Sequence, residues 1–175
     1  MPSSQLFQGR VRKGHIRGFT LIELLVVIAI IGILSSVVLA ATLLGRLRAM
    51  DAAVKADLHT IQSEMELYYS TNNNYGAASI NNTSPQTTIP ATGTSIFFTN
   101  ANINGALKAA FAQSGGHAYW AVGQGQATWA VAIELKGDSG YWWCIDSSGN
   151  PIREPNANMT GTALHGGASS AAYCP

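Results

Sequence analysis

Charge is scarce in this chain. Only 11% of its 175 residues are Asp, Glu, Lys or Arg, against about a quarter in ordinary soluble domains. Part of its surface must therefore meet something other than bulk water. Ten basic and nine acidic residues leave a net charge of +1, which disfavours nucleic acid as a partner. Glycine and proline stay near ordinary usage, at 18 and 6 residues, so collagen-like and low-complexity chains are excluded. There is no Gly-x-Ser-x-Gly elbow, no His-Glu-x-x-His and no phosphate-binding glycine loop, and the chain is read as no enzyme. Two cysteines with scattered His117 and His165 lack the ligand spacing of a metal site. Asp146-Ser147-Ser148-Gly149-Asn150 lacks the pattern of a calcium loop and reads as a plain turn. No metal and no cofactor is expected.

What charge there is falls unevenly. Arg10, Arg12, Lys13 and Arg17 precede Phe19 without one acid, while from Phe19 onward six basic residues face nine acidic ones. Between this basic head and acidic body lies Leu24 to Leu44, 21 residues without a charge. As a helix it would measure about 31 Å, enough to cross a hydrocarbon core. The upstream cations predict a cytoplasmic amino end and a chain that continues outward after Arg46. Two rival readings are a buried core helix and a cleavable secretory signal, for which Val38-Leu39-Ala40 before Ala41 would serve as a cleavage site. Against the signal stand the length of the apolar run and Glu23 near its start.

Around Glu23 the chain reads GFTLIELLVVIAIIGILS, from Gly18 to Ser36. This segment resembles the processing and assembly region of type IV prepilins and of the related pseudopilins of type II secretion. The resemblance implies that a membrane prepilin peptidase cuts after Gly18 and methylates the new amino end at Phe19. Glu23 then becomes the fifth mature residue, as the family pattern requires. Many pilins carry a proline 22 residues into the mature chain; here that position is Ala40, and no proline occurs between Phe19 and Tyr75.

The residue types suit that chemistry by themselves. Glycine leaves the scissile backbone unhindered. Cleavage frees an amine on Phe19, and a carboxylate held in lipid is costly unless paired. An amine and an acid on each copy can satisfy each other between neighbours, a head-to-tail contact that propagates into an open filament. Glu23 is thus the candidate assembly residue, and the softer points of the helix are Gly32 and Ser35-Ser36.

Beyond Leu44 the pattern turns amphipathic. Leu47, Met50, Val54, Leu58, Ile61, Met65 and Tyr68 follow helical spacing, and Asp51 with Lys55 reads as an i,i+4 ion pair. One continuous helix is predicted from about Thr20 to Ser70, with His59 on its surface. The Asn-rich stretch near Asn72 to Gly76 ends it. A long surface connection follows, with a strand at Ser95–Phe98 and a short helix at Ala106–Ala112. The triplets beginning at Asn81, Asn82 and Asn158 are chance matches to a glycosylation acceptor pattern.

His117–Val122, Ala127–Leu135 and Tyr141–Ile145 predict an antiparallel meander. Trp120, Trp129, Ala121, Val131 and Ile133 are expected to cover the helical stripe. Trp142-Trp143 is assigned to core and turn. Cys144 and Cys174 both lie beyond the apolar run, where a disulfide is the natural state. It would pin a tail, Asn150 to Pro175, too poor in apolar residues to hold itself down. The resemblance agrees, since many pilins staple a C-terminal loop in this way.

The expectation is an α+β, pilin-like fold in three parts. Residues 1–18 form a cytoplasmic leader, 19–45 a transmembrane and polymerisation segment, and 46–175 an extracytoplasmic domain. The predicted function is a structural subunit drawn from the inner membrane into a surface filament. Its partners would be copies of itself, the prepilin peptidase, the assembly machinery and, before assembly, membrane lipid. The alternatives are a type II secretion pseudopilin and, in another class, a tethered or secreted binding domain.

Overall fold

A computed structural model describes residues 18–79, 85–159, 164 and 172–175. The basic leader, the acceptor-like triplets at 81–84, Thr160 and His165 lie outside the described residues. The chain divides into two compact units, Met1–Ala40 and Ala41–Pro175.

Helix α1 runs over Leu21–Asn72. Only two glycines and no proline interrupt its sequence, so the hydrogen-bond ladder has no breaker. Asn73 ends it in the left-handed region at φ 55°, donating its N–H to the Tyr69 carbonyl at 2.7 Å. This is the asparagine form of a helix C-terminal cap.

Within the second unit, Val54, Leu58, Ile61 and Met65 of α1 are fully buried, as the stripe predicts. The sheet they belong with is an antiparallel meander in the order β1-β2-β3-β4. Its strands are β1 (Ala118–Val122), β2 (Trp129–Glu134), β3 (Tyr141–Asp146) and β4 (Ile152–Pro155). Trp120 pairs with Val131 and Val131 with Ile145, so these side chains share one face. They join Trp129, Ile133 and the α1 stripe in one core.

Ala121 does not belong to that face. Successive strand residues point to opposite sides, and Ala121 lies with Tyr119, Ala130, Ala132, Trp142 and Cys144 in a second core. The tail covers this second face, contributing the buried Met159, Leu164 and Ala172. The tail therefore holds apolar anchors and a strand of its own, contrary to the expectation from its composition. β4 was not expected because Arg153, Glu154 and Pro155 are poor strand formers; at a sheet edge such residues are tolerated.

Ser95–Phe98 is not a strand. The Ser95 carbonyl accepts from Phe98 and Thr99, opening the helical turn α2 (Ile96–Thr99). Ile96 and Phe97 are both buried, which neighbouring residues achieve in a helical turn but not in a strand facing one core. Helix α3 (Ala101–Gln113) begins earlier than its apolar pattern suggests. Asn100 caps it, its side chain accepting from the N–H groups of Asn102 and Ile103.

The expected Asp51–Lys55 pair is also replaced. Asp51 is buried and accepts the Gly137 N–H at 2.9 Å, while the Lys55 ammonium stands 4.2 Å above the Trp143 ring. Tertiary partners outcompete a surface pair of small worth.

Candidate processing and assembly site

Gly18, Phe19 and Thr20 precede α1 and are exposed, so the Gly18–Phe19 peptide bond is accessible on both sides. The first turn of α1 is built by Thr20 and Glu23. The Glu23 carboxylate Oε2 accepts from the Thr20 backbone N–H at 2.9 Å and from its hydroxyl at 2.7 Å. In return the Thr20 hydroxyl oxygen accepts the Glu23 N–H at 3.3 Å. This reciprocal arrangement is a capping box, which satisfies amide donors that a helix start leaves without partners. Thr20 is the capping partner of Glu23 that sequence reasoning missed, although Thr-x-x-Glu before an apolar run was there to be seen.

The next residues are bare. Phe19, Ile22, Glu23, Val26 and Val27 line one shallow, almost wholly apolar depression. Leu21 is 87% exposed and every residue from Gly18 to Arg46 is exposed. The most apolar 18-residue window has a mean hydropathy of 3.0, and by length and composition the helix is able to cross a membrane. Water would oppose such a surface by roughly 25 cal/mol for each Å² left uncovered. The segment is thus a surface for lipid or for other protein.

Within one chain the structure brings Glu23 to Thr20. The partner expected for Glu23, the amine at Phe19, is here still a peptide nitrogen joined to Gly18. Two hydrogen bonds to the carboxylate serve the helix start and fix its direction.

At the other end of the chain Cys144 on β3 is bonded to Cys174. Asp146 ties the same two segments: one oxygen accepts the Cys174 N–H and the other the Ser148 N–H, at 2.9 and 2.8 Å. Asp146-to-Asn150 is therefore a turn that holds the tail. Ala172 adds a bond from its N–H to the Thr128 hydroxyl at 2.9 Å. Among the described residues no three His, Cys, Asp or Glu side chains gather where they could hold a metal ion.

An exposed apolar helix that begins at a capped acid, joined in sequence to a sheet-bearing, disulfide-closed unit, defines a class of protein: a membrane-anchored α+β subunit. Comparison with known proteins narrows the class. The family described as the prokaryotic N-terminal methylation motif matches residues 13–39. The "Type IV wide pilus major component PilA4" of Thermus thermophilus is 37% identical over 121 residues, covering 69% of this chain and 84% of that protein. No solved structure matches the chain. The chain belongs to the type IV prepilin family.

Proposed function

We propose that this pilin, a structural subunit processed and polymerised into a filament, is cut between Gly18 and Phe19 and methylated on the Phe19 amine. Residues 1–18 act as the cytoplasmic leader, 19–45 as the membrane and polymerisation segment, and 46–175 as the extracytoplasmic domain. In the filament the Glu23 carboxylate meets the Phe19 amine of a neighbouring copy, and the apolar residues of α1 exchange lipid for other copies of themselves. The prepilin peptidase and the assembly machinery act on the chain; it performs no catalysis. The curated relative being the major component of a wide pilus favours a pilus over a secretion pseudopilus.

One observation carries the reading: a single carboxylate, held by Thr20, stands at the start of a stretch of α1, residues 24–45, that is uncharged and exposed throughout. An unpaired charge in lipid is uphill by about 2.5–3.5 kcal/mol at mid-bilayer, so its retention suits a segment that later pairs it. Amino-terminal sequencing and mass measurement of the mature chain test this. Methylated Phe19 is the expected result. A chain beginning at Ala41 points to a secreted domain, and an uncut Met1 to a plain anchor.

A further inference from the structure

We infer that the second unit, at the end where the apolar run leaves it, holds the phosphate of an anionic phospholipid headgroup through Arg46, Arg48 and Lys136. This inference rests on the membrane reading of α1 above and adds to it the class of lipid and the residues that meet it.

The helix sets the depth. Within the second unit α1 still carries Ala41 to Leu44, the end of the uncharged run, and Arg46 and Arg48 follow Leu44 by two and four positions. Their backbones stand roughly 3 and 6 Å further along the axis than the last apolar residue. With that run ending in hydrocarbon, this is the level of the headgroups. Both side chains are exposed. The turn between β2 and β3 is folded against the same part of α1. Gly137 donates its N–H to Asp51 at 2.9 Å, and a Cβ on Gly137 would stand 2.8 Å from the Leu47 carbonyl. The exposed Lys136, adjacent to Gly137 in that turn, thereby comes to the same end of the unit.

The charges gathered there do not cancel. The ion pairs among the described residues are His117–Glu134 and Arg153–Asp138, so Arg46, Arg48 and Lys136 enter none. The nearby acids are already engaged, Asp51 by the Gly137 N–H and Asp138 by Arg153 at 2.6 Å. Of the six basic residues from Phe19 onward, Arg46, Arg48, Lys55, Lys136 and Arg153 belong to this corner and Lys108 lies on α3. An otherwise acidic unit is thus cationic at one end.

A cleft of about 460 Å³ opens there, lined by Arg48, Asp51, Ala52, Lys55, Gly137 and Asp138. It has room for a phosphodiester and a small polar substituent. A guanidinium fork matches two phosphate oxygens, and long basic side chains at a helix exit reach the interface with their stems against apolar surface. A zwitterionic headgroup would bring an ammonium to a place whose carboxylates are already taken. A headgroup with phosphate as its one charge is the better complement.

Native mass spectrometry tests this on the full chain released from mixed micelles holding equal phosphatidylglycerol and phosphatidylcholine. The four leader cations are common to every variant, so the change in the ratio of bound lipids is what is read. Arg48→Gln should lower the preference for phosphatidylglycerol about five-fold, the worth of one cation near an anionic surface. Arg46→Gln/Arg48→Gln/Lys136→Gln should lower it more than ten-fold, while Lys108→Gln should change it less than two-fold. The intact mass and an unchanged thermal midpoint show that each variant keeps Cys144–Cys174 and its fold. An unchanged ratio in the triple variant, or an equal loss with Lys108→Gln, overturns the site. Displacement of the lipid by excess inorganic phosphate overturns the lipid assignment. Methylation of Phe19 is measured separately, so a lost lipid preference in a chain still methylated there refutes this inference alone.

Discussion

The buried carboxylate of Asp51 on α1 accepts the backbone N–H of Gly137, 86 residues further along the chain, at 2.9 Å. The contact ties the turn between β2 and β3 to the helix at the point where the buried stripe begins. Beside it, Asp138 binds Arg153 at 2.6 Å, and the Arg153 guanidinium lies 3.3 Å above the Tyr141 ring. Replacing Asp51 by alanine removes this bond; Gly137 is exposed, so water can take its N–H, and the expected loss is about 0.5–1.5 kcal/mol. Thermal unfolding of the full chain in detergent should show it as a lowered midpoint, with Asp51→Asn, which keeps an acceptor, falling less.

Gly137→Ala should destabilise by a different route. A Cβ there would stand 2.7 Å from Asp51 Oδ2 and 2.8 Å from the Leu47 carbonyl. The obstacle includes helix backbone, which has little room to yield, so the same unfolding measurement should show a loss at least as large as that of Asp51→Asn.

Leu58→Ala removes a fully buried side chain from the junction of α1 with the sheet. Its expected cost is about 2–5 kcal/mol, depending on how far the site collapses. Leu67→Ala is its control on the same helix, since Leu67 is 62% exposed, and its midpoint should hardly move.

Reducing Cys144–Cys174 should release the tail from the second face of the sheet. Their separation of 30 positions corresponds to about 3.5–4 kcal/mol in the chain-entropy account. Uncovering Tyr119, Ala121, Ala130 and Ala132 should raise the binding of an apolar fluorescent dye. Cys144→Ser should reproduce the change without reductant.

Tyr75 should titrate late. Burial, reinforced by its bond to the Glu66 carboxylate and by that charge, raises its pKa to about 12 from 10.0. A folded value above the unfolded one gives stability that is complete below pH 10 and is lost as pH rises through about 12. Phenolate absorbance against pH should show Tyr75 titrating late beside Tyr119, whose pKa burial also raises; Tyr75→Phe should remove its share of the late signal and Glu66→Gln should move that share downward.

Patterns confined to neighbouring residues were legible before any coordinates. The helix was visible from Thr20 to Ser70 because no proline or paired glycine interrupts it, and the structure extends it only to Asn72. The first three strands, β1 to β3, were visible because aromatic and β-branched runs alternate with glycine-bearing turns. The capping box at Thr20 was equally local and equally readable. The α2 turn was not, since Ser-Ile-Phe-Phe has the composition of a strand, and only burial of both Ile96 and Phe97 selects the helical form.

The sequence by itself determined the bare apolar first half of the helix with the one acid at its start, the cleavage-like Gly18-Phe19 step and the antiparallel meander, because each is written in periodicity or in adjacent residue types. Tertiary structure alone decided that Ala121 faces away from α1, that the tail closes a second core, and that Asp51 turns inward to Gly137. Those outcomes depend on pleat register and on partners scores of residues away, whose competition for one polar or apolar site has no signature in local sequence.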